Sequence, residues 1–436
     1  MTSFLDKFRR HKVRTGFLGL VLVMLVYFIA WRTYRIHSIP DVGAPFDVEA
    51  YLAKYELAEN QYQEIFVETF ELSLEIDSDK LTSDGYSDFD RERTILLENF
   101  QAFSEFQSHF ELLQPLLDRW KAVAEHTDGF LIHPYEYPGP EIEFSLSFVD
   151  DLNNLILLES ANLIHKNELE KTWDLYRDYL LIQKQSRAGS FRNSYHAIEH
   201  FELFSDQFRI YLENSELTTD RLRQIHQEMN SIIETYPPLH EVFYYDYVRS
   251  WHAYTSKHQN FIDSASGKKE LMRRSLNLFL NNWLAHCDEP QDVRPGHLIY
   301  EFESIPHELM MEYNPYAERR YAYSESYKRD QYAAELITAF DHLKNEEALA
   351  SPLEFGLTAY EAKLRQQDQN NWLNQLHFAL QIYQREKGVF PTNLEELVPG
   401  YLKELPPENR TTGRPIHYVS HGKTFELWFE DDYSDR

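Results

Sequence analysis

Thr15–Trp31 is a run of seventeen residues without a charge, and from Gly16 it reads Gly-Phe-Leu-Gly-Leu-Val-Leu-Val-Met-Leu-Val-Tyr-Phe-Ile-Ala-Trp. Hydrocarbon supplies no water to backbone N–H and C=O groups, so a stretch of this kind has one favourable form there, a helix. Its length sits at the short edge of the ~17–25 residues that a span requires. Arg14 and Arg32 can snorkel to the two interfaces, and Tyr27 and Trp31 suit one boundary. Lys7, Arg9, Arg10, Lys12 and Arg14 precede the run, whereas only Arg32 and Arg35 come closely after it. The excess of cations on the N-terminal side predicts a cytoplasmic tail at 1–14, a transmembrane anchor at 15–32 contacting the lipid bilayer, and export of the rest. A cleaved signal peptide is the rival reading. Its best small-x-small site, Val42-Gly43-Ala44, lies well past the apolar core and is followed by Pro45, so retention as an anchor is the expectation.

Length and charge bound the remainder of the chain. At 436 residues it exceeds the usual single domain, so two domains and a sizeable core are expected. The formal charge is −28; the first 35 residues hold seven Lys/Arg and one Asp, which leaves 36 basic and 70 acidic residues, or −34, beyond them. A surface of that sign repels phosphate backbones, so nucleic acid is not an expected partner. Cys287 is the one cysteine, which rules out an internal disulfide and a cysteine-based zinc site.

The middle of the chain has the period of packed helices. Leu169, Trp173, Tyr176 and Leu180 step by four, three and four residues. Phe201, Phe204, Phe208 and Tyr211 repeat that spacing, as do Leu222, Ile225, Met229 and Ile232, with charged residues on the other faces. The polar link Asn214–Asp220 is short enough to fold its neighbours antiparallel. Val48–Phe70 and Glu92–Arg119 also read as helix, Asp77–Asp90 as a polar loop, and the three prolines of His133–Pro140 as irregular chain. Phe243, Tyr244, Tyr245, Tyr247 and Trp251 read as core. These spacings suggest stacked helical hairpins over 33–365, without a sequence period that would define a repeat.

A different pattern begins near residue 366. Trp372, Leu376, Ala379, Leu380 and Tyr383 form one helical stripe, and Gly388 stands just past it, where a left-handed cap needs no Cβ. Phe390-Pro391 comes next, then Thr392 and Glu395 at capping-box spacing, which predicts a helix start. Leu394, Leu397, Tyr401 and Leu402 are expected to face inward, with Pro399-Gly400 breaking the run. Beyond Leu405-Pro406 and Gly413-Arg414-Pro415, alternation of Ile416 and Tyr418 with Phe425, Leu427 and Phe429 predicts a hairpin turning at His421-Gly422. This order over about sixty residues resembles the globular end of type II secretion pseudopilins. Phe390-Pro391 stands at the family's Tyr-Pro step, and Leu405-Pro406 and Gly413 to Tyr418 at its Leu-Pro and Gly-x-Pro-x-x-Tyr positions. The resemblance implies a small α+β domain at 366–436. It also implies calcium bound by loop oxygens, for which Glu408, Asp431 and Asp432 are the candidates. The family's Asp-Pro is missing, since the chain reads Pro406-Pro407-Glu408-Asn409.

The resemblance bears on the N-terminus as well. A basic leader, Gly16-Phe17 and an apolar run have the outline of a prepilin processing site, but the fifth mature position is Val21 where the family usually has Glu. The whole chain resembles a group of membrane-anchored bacterial proteins that join a helical domain to a pseudopilin-like tail. That likeness implies a bacterial inner-membrane location with the main domain periplasmic.

Candidate chemistry is sparse. His196, Glu199 and His200 stand three and four apart, so one helical face can offer two imidazoles and a carboxylate to a metal, although the order is not HExxH. No nucleophile elbow, phosphate-binding glycine loop or dinucleotide fingerprint occurs. Cys287 beside His286 reads as an idle thiol rather than an activated one. More distinctive is a crowd of tyrosines and arginines: Tyr313, Tyr316, Arg319, Arg320, Tyr323 and Tyr327, with Tyr321, Lys328, Arg329 and Tyr332. Flat rings and guanidinium forks suit contacts with another envelope protein or an envelope glycan; packing at a domain junction is the plainer alternative. The expectation is a mainly α, non-catalytic, single-pass envelope protein acting as an interaction scaffold, with no cofactor beyond the possible calcium. The alternatives are an accessory pseudopilin of a type II secretion or type IV pilus-like system, and an envelope-polymer hydrolase with an unidentified site.

Overall fold

The computed structural model describes residues 2–55, 156–285 apart from 158, 215 and 258–260, 357–405 and 416–429, with a few further positions between 115 and 135 and between 335 and 343. Several expectations lie outside these residues: most of the helices proposed over 48–70 and 92–119, the loop at 77–90, and the Tyr313–Tyr332 segment. Cys287, Glu408, Asp431 and Asp432 lie outside them too. The chain is mostly helical, with one apolar N-terminal helix and a two-stranded sheet near the C-terminus. In chain order the elements are α1 (Thr2–His37), α2 (Val48–Tyr55), α3 (Leu169–Arg187), α4 (Phe191–Glu213), α5 (Thr219–Ile233), α6 (Leu239–Lys257), α7 (Phe261–Ser266), α8 (Lys268–Leu284) and α9 (Leu357–Lys387). A 3-10 turn (Leu394–Leu397), β1 (Ile416–Ser420) and β2 (Phe425–Phe429) complete the order. The residues fall into two compact units, Met1–Asp47 with Tyr247–Ala350, and Val48–Asp246 with Ser351–Arg436.

The second unit is built on the aromatic stripes. Ser190 caps α4 by accepting from Asn193 N–H at 3.3 Å, and Thr218 caps α5 by accepting from Arg221 N–H at 3.2 Å. Trp173, Tyr176, Leu180, Phe201, Phe204, Phe208, Tyr211, Leu222, Ile225 and Met229 are all buried in one core, with Ile232 packed at its margin. Their rings meet in preferred geometries: Tyr176 is edge-on to Phe204 at 5.3 Å and to Phe208 at 5.5 Å, and Phe204 stacks on Phe208 at 5.2 Å. Each such pair adds about 0.5–1.5 kcal/mol beyond area burial. The link after α4 turns the chain, yet α4 and α5 each pack mainly on α3 and α9 rather than on each other. The C-terminal helix α9 therefore completes the bundle that the earlier helices begin. Phe378 and Ile382 enter the bundle core, with Phe378 edge-on to Phe208 at 5.6 Å. On the same face Asn374 donates to Ser205 Oγ at 3.1 Å, and Arg385 donates to the carbonyls of Leu212 at 3.3 Å and Asn214 at 2.7 Å, closing the end of α4.

The opposite face of α9 carries a second core. Leu376, Ala379 and Leu380 pack with Phe390, Leu397 and Leu402, and Tyr383, Leu394, Tyr401, Ile416, Tyr418, Phe425 and Leu427 close around them. The strands pair antiparallel with Tyr418 opposite Leu427. Gly388 ends the helix at φ +79°, donating its N–H to Gln384 O at 2.7 Å, as its lack of a Cβ predicts. The expected capping box shifts by one residue. Asn393, not Thr392, is the N-cap, accepting from Glu396 N–H at 3.3 Å, and the helix it starts is a single 3-10 turn. Asparagine caps at least as well as threonine. With Asn393 in that role, Thr392 is left to donate its N–H, at 2.9 Å, and its hydroxyl to Glu396. The Tyr383 hydroxyl adds a bond of 2.7 Å, and these donors hold the Glu396 carboxyl down to about 2.

Candidate functional site

The first unit joins the apolar helix to the globular chain, and its geometry is best built outward from α1. Residues Phe17–His37 form a helix long and apolar enough to cross a membrane, and its most apolar window buries nothing. The helix closes at Ser38, whose N–H donates to Tyr34 O at 2.9 Å and whose hydroxyl donates to Arg35 O at 2.7 Å. Directly beyond it, Ile39 is fully buried with Leu271, Leu278 and Ala339.

A strap of polar contacts from α8 then holds residues 36–43. Arg274 donates to the Ile39 carbonyl at 3.1 Å and to that of Ile36 at 3.5 Å, the latter in the last turn, whose carbonyls a helix end leaves without intrahelical partners. Arg273 reaches Asp41 at 2.6 Å and Glu270 at 2.8 and 3.0 Å, and Asn281 donates to Gly43 O at 3.3 Å. The Arg273 hydrogen bond lowers the Asp41 carboxyl below its ordinary range, and Glu270 and Asp41 raise Arg273 in turn. Phe46 packs edge-on against Tyr247 at 5.4 Å, and the Tyr247 hydroxyl donates to Asn277 at 2.6 Å. The chain leaves the apolar helix without a free linker.

Gly267, between α7 and α8, makes the close approach possible. It sits at φ +77°, and a Cβ there would come within 2.5 Å of Ile36 Cδ1 and 3.2 Å of Arg32 Nε. Gly267→Ala should therefore cost roughly 1–3 kcal/mol, from left-handed backbone strain and displaced Ile36 together. Thermal unfolding of detergent-extracted protein, with proteolysis across 38–47, measures it; an unchanged midpoint and cleavage pattern would show that α1 does not pack there.

The predicted metal and core residues are placed elsewhere. His196 Nδ1 lies 3.6 Å from Glu199, which also pairs with Lys363 at 3.3 Å, while His200 is buried. Among the described residues no group of three or more His, Cys, Asp or Glu side chains gathers as a metal site would. Phe243, Tyr245 and Tyr247 are buried, as expected of core, whereas Tyr244 and Trp251 are only half-buried. A buried polar cluster lies at the start of α4. Asp246 accepts the Phe191 N–H at 2.8 Å, and Tyr360, pressed on Phe191 at 4.5 Å, bonds the Ser194 hydroxyl. Burial raises the Tyr360 phenol, so it stays protonated, and the cluster serves as a cap for α4.

Periodicity and motif spacing do not point to the joint itself. Its signal is present in Lys268-Lys269-Glu270-Leu271-Met272-Arg273-Arg274, four cations in seven residues of an acidic chain, preceded by a glycine. What hides it is distance, since Asp41 and Arg273 are 232 positions apart. No family model, curated protein or solved structure matches the chain.

Proposed function

We propose that this chain is a non-catalytic, single-pass envelope protein that holds an interaction scaffold against the outer side of a bacterial inner membrane. The observation that carries the reading is the bare apolar surface of Phe17–Trp31 running directly into a joint packed with ion pairs. An apolar helix with no protein cover needs lipid, and a packed exit holds the adjoining unit close to the bilayer. The cationic excess before residue 15 favours a cytoplasmic N-terminus. In the tail, the order of α9, Gly388, the 3-10 turn and the hairpin supports a pseudopilin-like module at 366–436. That module would ride on a helical domain of packed hairpins at 33–365. The Tyr313–Tyr332 segment is the proposed contact patch for another envelope protein or a glycan.

The test is a reporter fused after Arg436, in one version active only in the cytoplasm and in another active only outside it. Activity of the external reporter alone is expected, with the protein resisting alkaline carbonate extraction; activity of the cytoplasmic reporter alone overturns the topology. Intact-mass measurement of extracted protein separates the accessory pseudopilin, which would have lost residues 1–16.

A further inference from the structure

The strap beside α1 leaves one cavity whose lining differs from the rest of an acidic chain. Arg35, Lys268 and His342 line it together with Leu271, Met272 and Tyr254, and it is a small cleft open to solvent with room for about one water. Arg35 stands one helical turn beyond Trp31, ~6 Å further along the axis, and its guanidinium lies 5.4 Å over the Trp31 ring. If Thr15–Trp31 spans the hydrocarbon, that step puts Arg35 at headgroup depth, and Lys268 shares the cavity with it. Arg32 approaches the same corner, where its Nε would lie 3.2 Å from a Cβ on Gly267. Lys269, next in sequence to Lys268, adds to the positive sign. Arg273 and Arg274 do not line the cavity; they pair with Glu270 and Asp41.

We propose that the cavity lined by Arg35, Lys268 and His342 binds the phosphate of an anionic lipid headgroup at the surface of the membrane that α1 spans. This rests on the anchor reading above. A guanidinium offers a fork and an ammonium a point charge, the usual pair of phosphate donors. The position of the cleft beside the end of the apolar helix favours the phosphate of a lipid over that of a free ion. The phosphate would sit at the mouth of this cleft, within reach of the long Arg35 and Lys268 side chains. Each cation near an anionic membrane surface adds about fivefold in partitioning, so two should separate anionic from zwitterionic lipid by an order of magnitude or more.

The experiment is native mass spectrometry of the full-length protein in nonionic detergent doped with phosphatidylglycerol or phosphatidylcholine. The expected result is that Arg35→Gln with Lys268→Gln retains one phosphatidylglycerol fewer than wild type. The basic 1–14 tail binds equally in both proteins, and Lys423→Gln, in the hairpin turn, changes nothing. Lys268→Arg should keep the lipid that Lys268→Gln loses. An unchanged lipid count in the double variant overturns the site, and so does loss in Lys268→Arg, which would mark a packing defect rather than a lost charge. Displacement of the lipid by millimolar inorganic phosphate overturns the lipid as ligand and leaves a free-phosphate site. Release of the protein by alkaline carbonate, read separately on native membranes, would defeat the anchor instead.

Discussion

Phe378→Ala should destabilise the helical bundle by roughly 3–5 kcal/mol, and Leu380→Ala should remove roughly 2–5 kcal/mol from the sheet-side core, although the two positions are two residues apart. Both side chains are fully buried, on opposite faces of one helix. Phe378 fills the space between Phe208 and the His226 ring, at 5.6 and 4.7 Å, and truncation leaves a cavity among large rings that cannot close on it. Leu380 lies against Phe390, Leu397 and the hairpin. If the cores unfold together, a fragment ending at residue 356 loses the cooperative transition of the bundle, because Phe378, Ile382, Asn374 and Arg385 go with α9. Chemical denaturation of each variant measures the cost. A midpoint for Phe378→Ala within error of wild type would show that α9 belongs to the tail alone.

Acid should weaken the same region through His377. Its imidazole is buried, its Nδ1 has no hydrogen-bond partner among the described residues, and it lies 5.1 Å from the Phe425 ring. Burial, with the Arg209 charge adding to it, pushes its titration down to about 3. An unfolded histidine takes its proton near pH 6.5. Between those values the unfolded chain binds the extra proton, so stability is complete above about 6.5 and falls as the pH drops through the window. At 1.36 kcal/mol per unit, the loss is on the order of 3 kcal/mol by pH 4. Burial lowers His226 as well, in the same direction. The half-buried carboxyls of Glu202, Glu213 and Asp178 are raised by burial and act oppositely, so the measurement is the difference between wild type and His377→Leu. Wild type should lose stability faster over pH 6.5–4; parallel profiles would mean that His377 reaches water.

Local sequence is a sound guide wherever one element's own periodicity sets its burial. The stripes at Leu169–Leu180, Phe201–Tyr211 and Leu222–Met229 occupy the core because a 3.6-residue repeat puts them on one face whatever that face meets. Gly388 and the turn at His421-Gly422 are equally legible, since each depends on the backbone of a few adjacent residues. The capping box falls one position from its expected place because Thr392 and Asn393 are both competent caps, and the choice between them is set by Glu396 reaching back. The periodicity of α9 shows one stripe on Leu376, Ala379, Leu380 and Tyr383, and it does not separate Phe378 and Ile382 as a second. A helix buried on two sides has a weak amphipathic signature, so its second partner is invisible until the bundle is seen. By itself the sequence determined the apolar N-terminal helix, the helical class, the aromatic core and the C-terminal hairpin, all consequences of residue spacing. Tertiary structure alone decided that α9 closes a bundle begun by α3, far earlier in the chain, and that Asp41 and Ile39 are held by Arg273 and Arg274. Those contacts depend on which distant surfaces fit and which charges meet once water is excluded, and no local period encodes that.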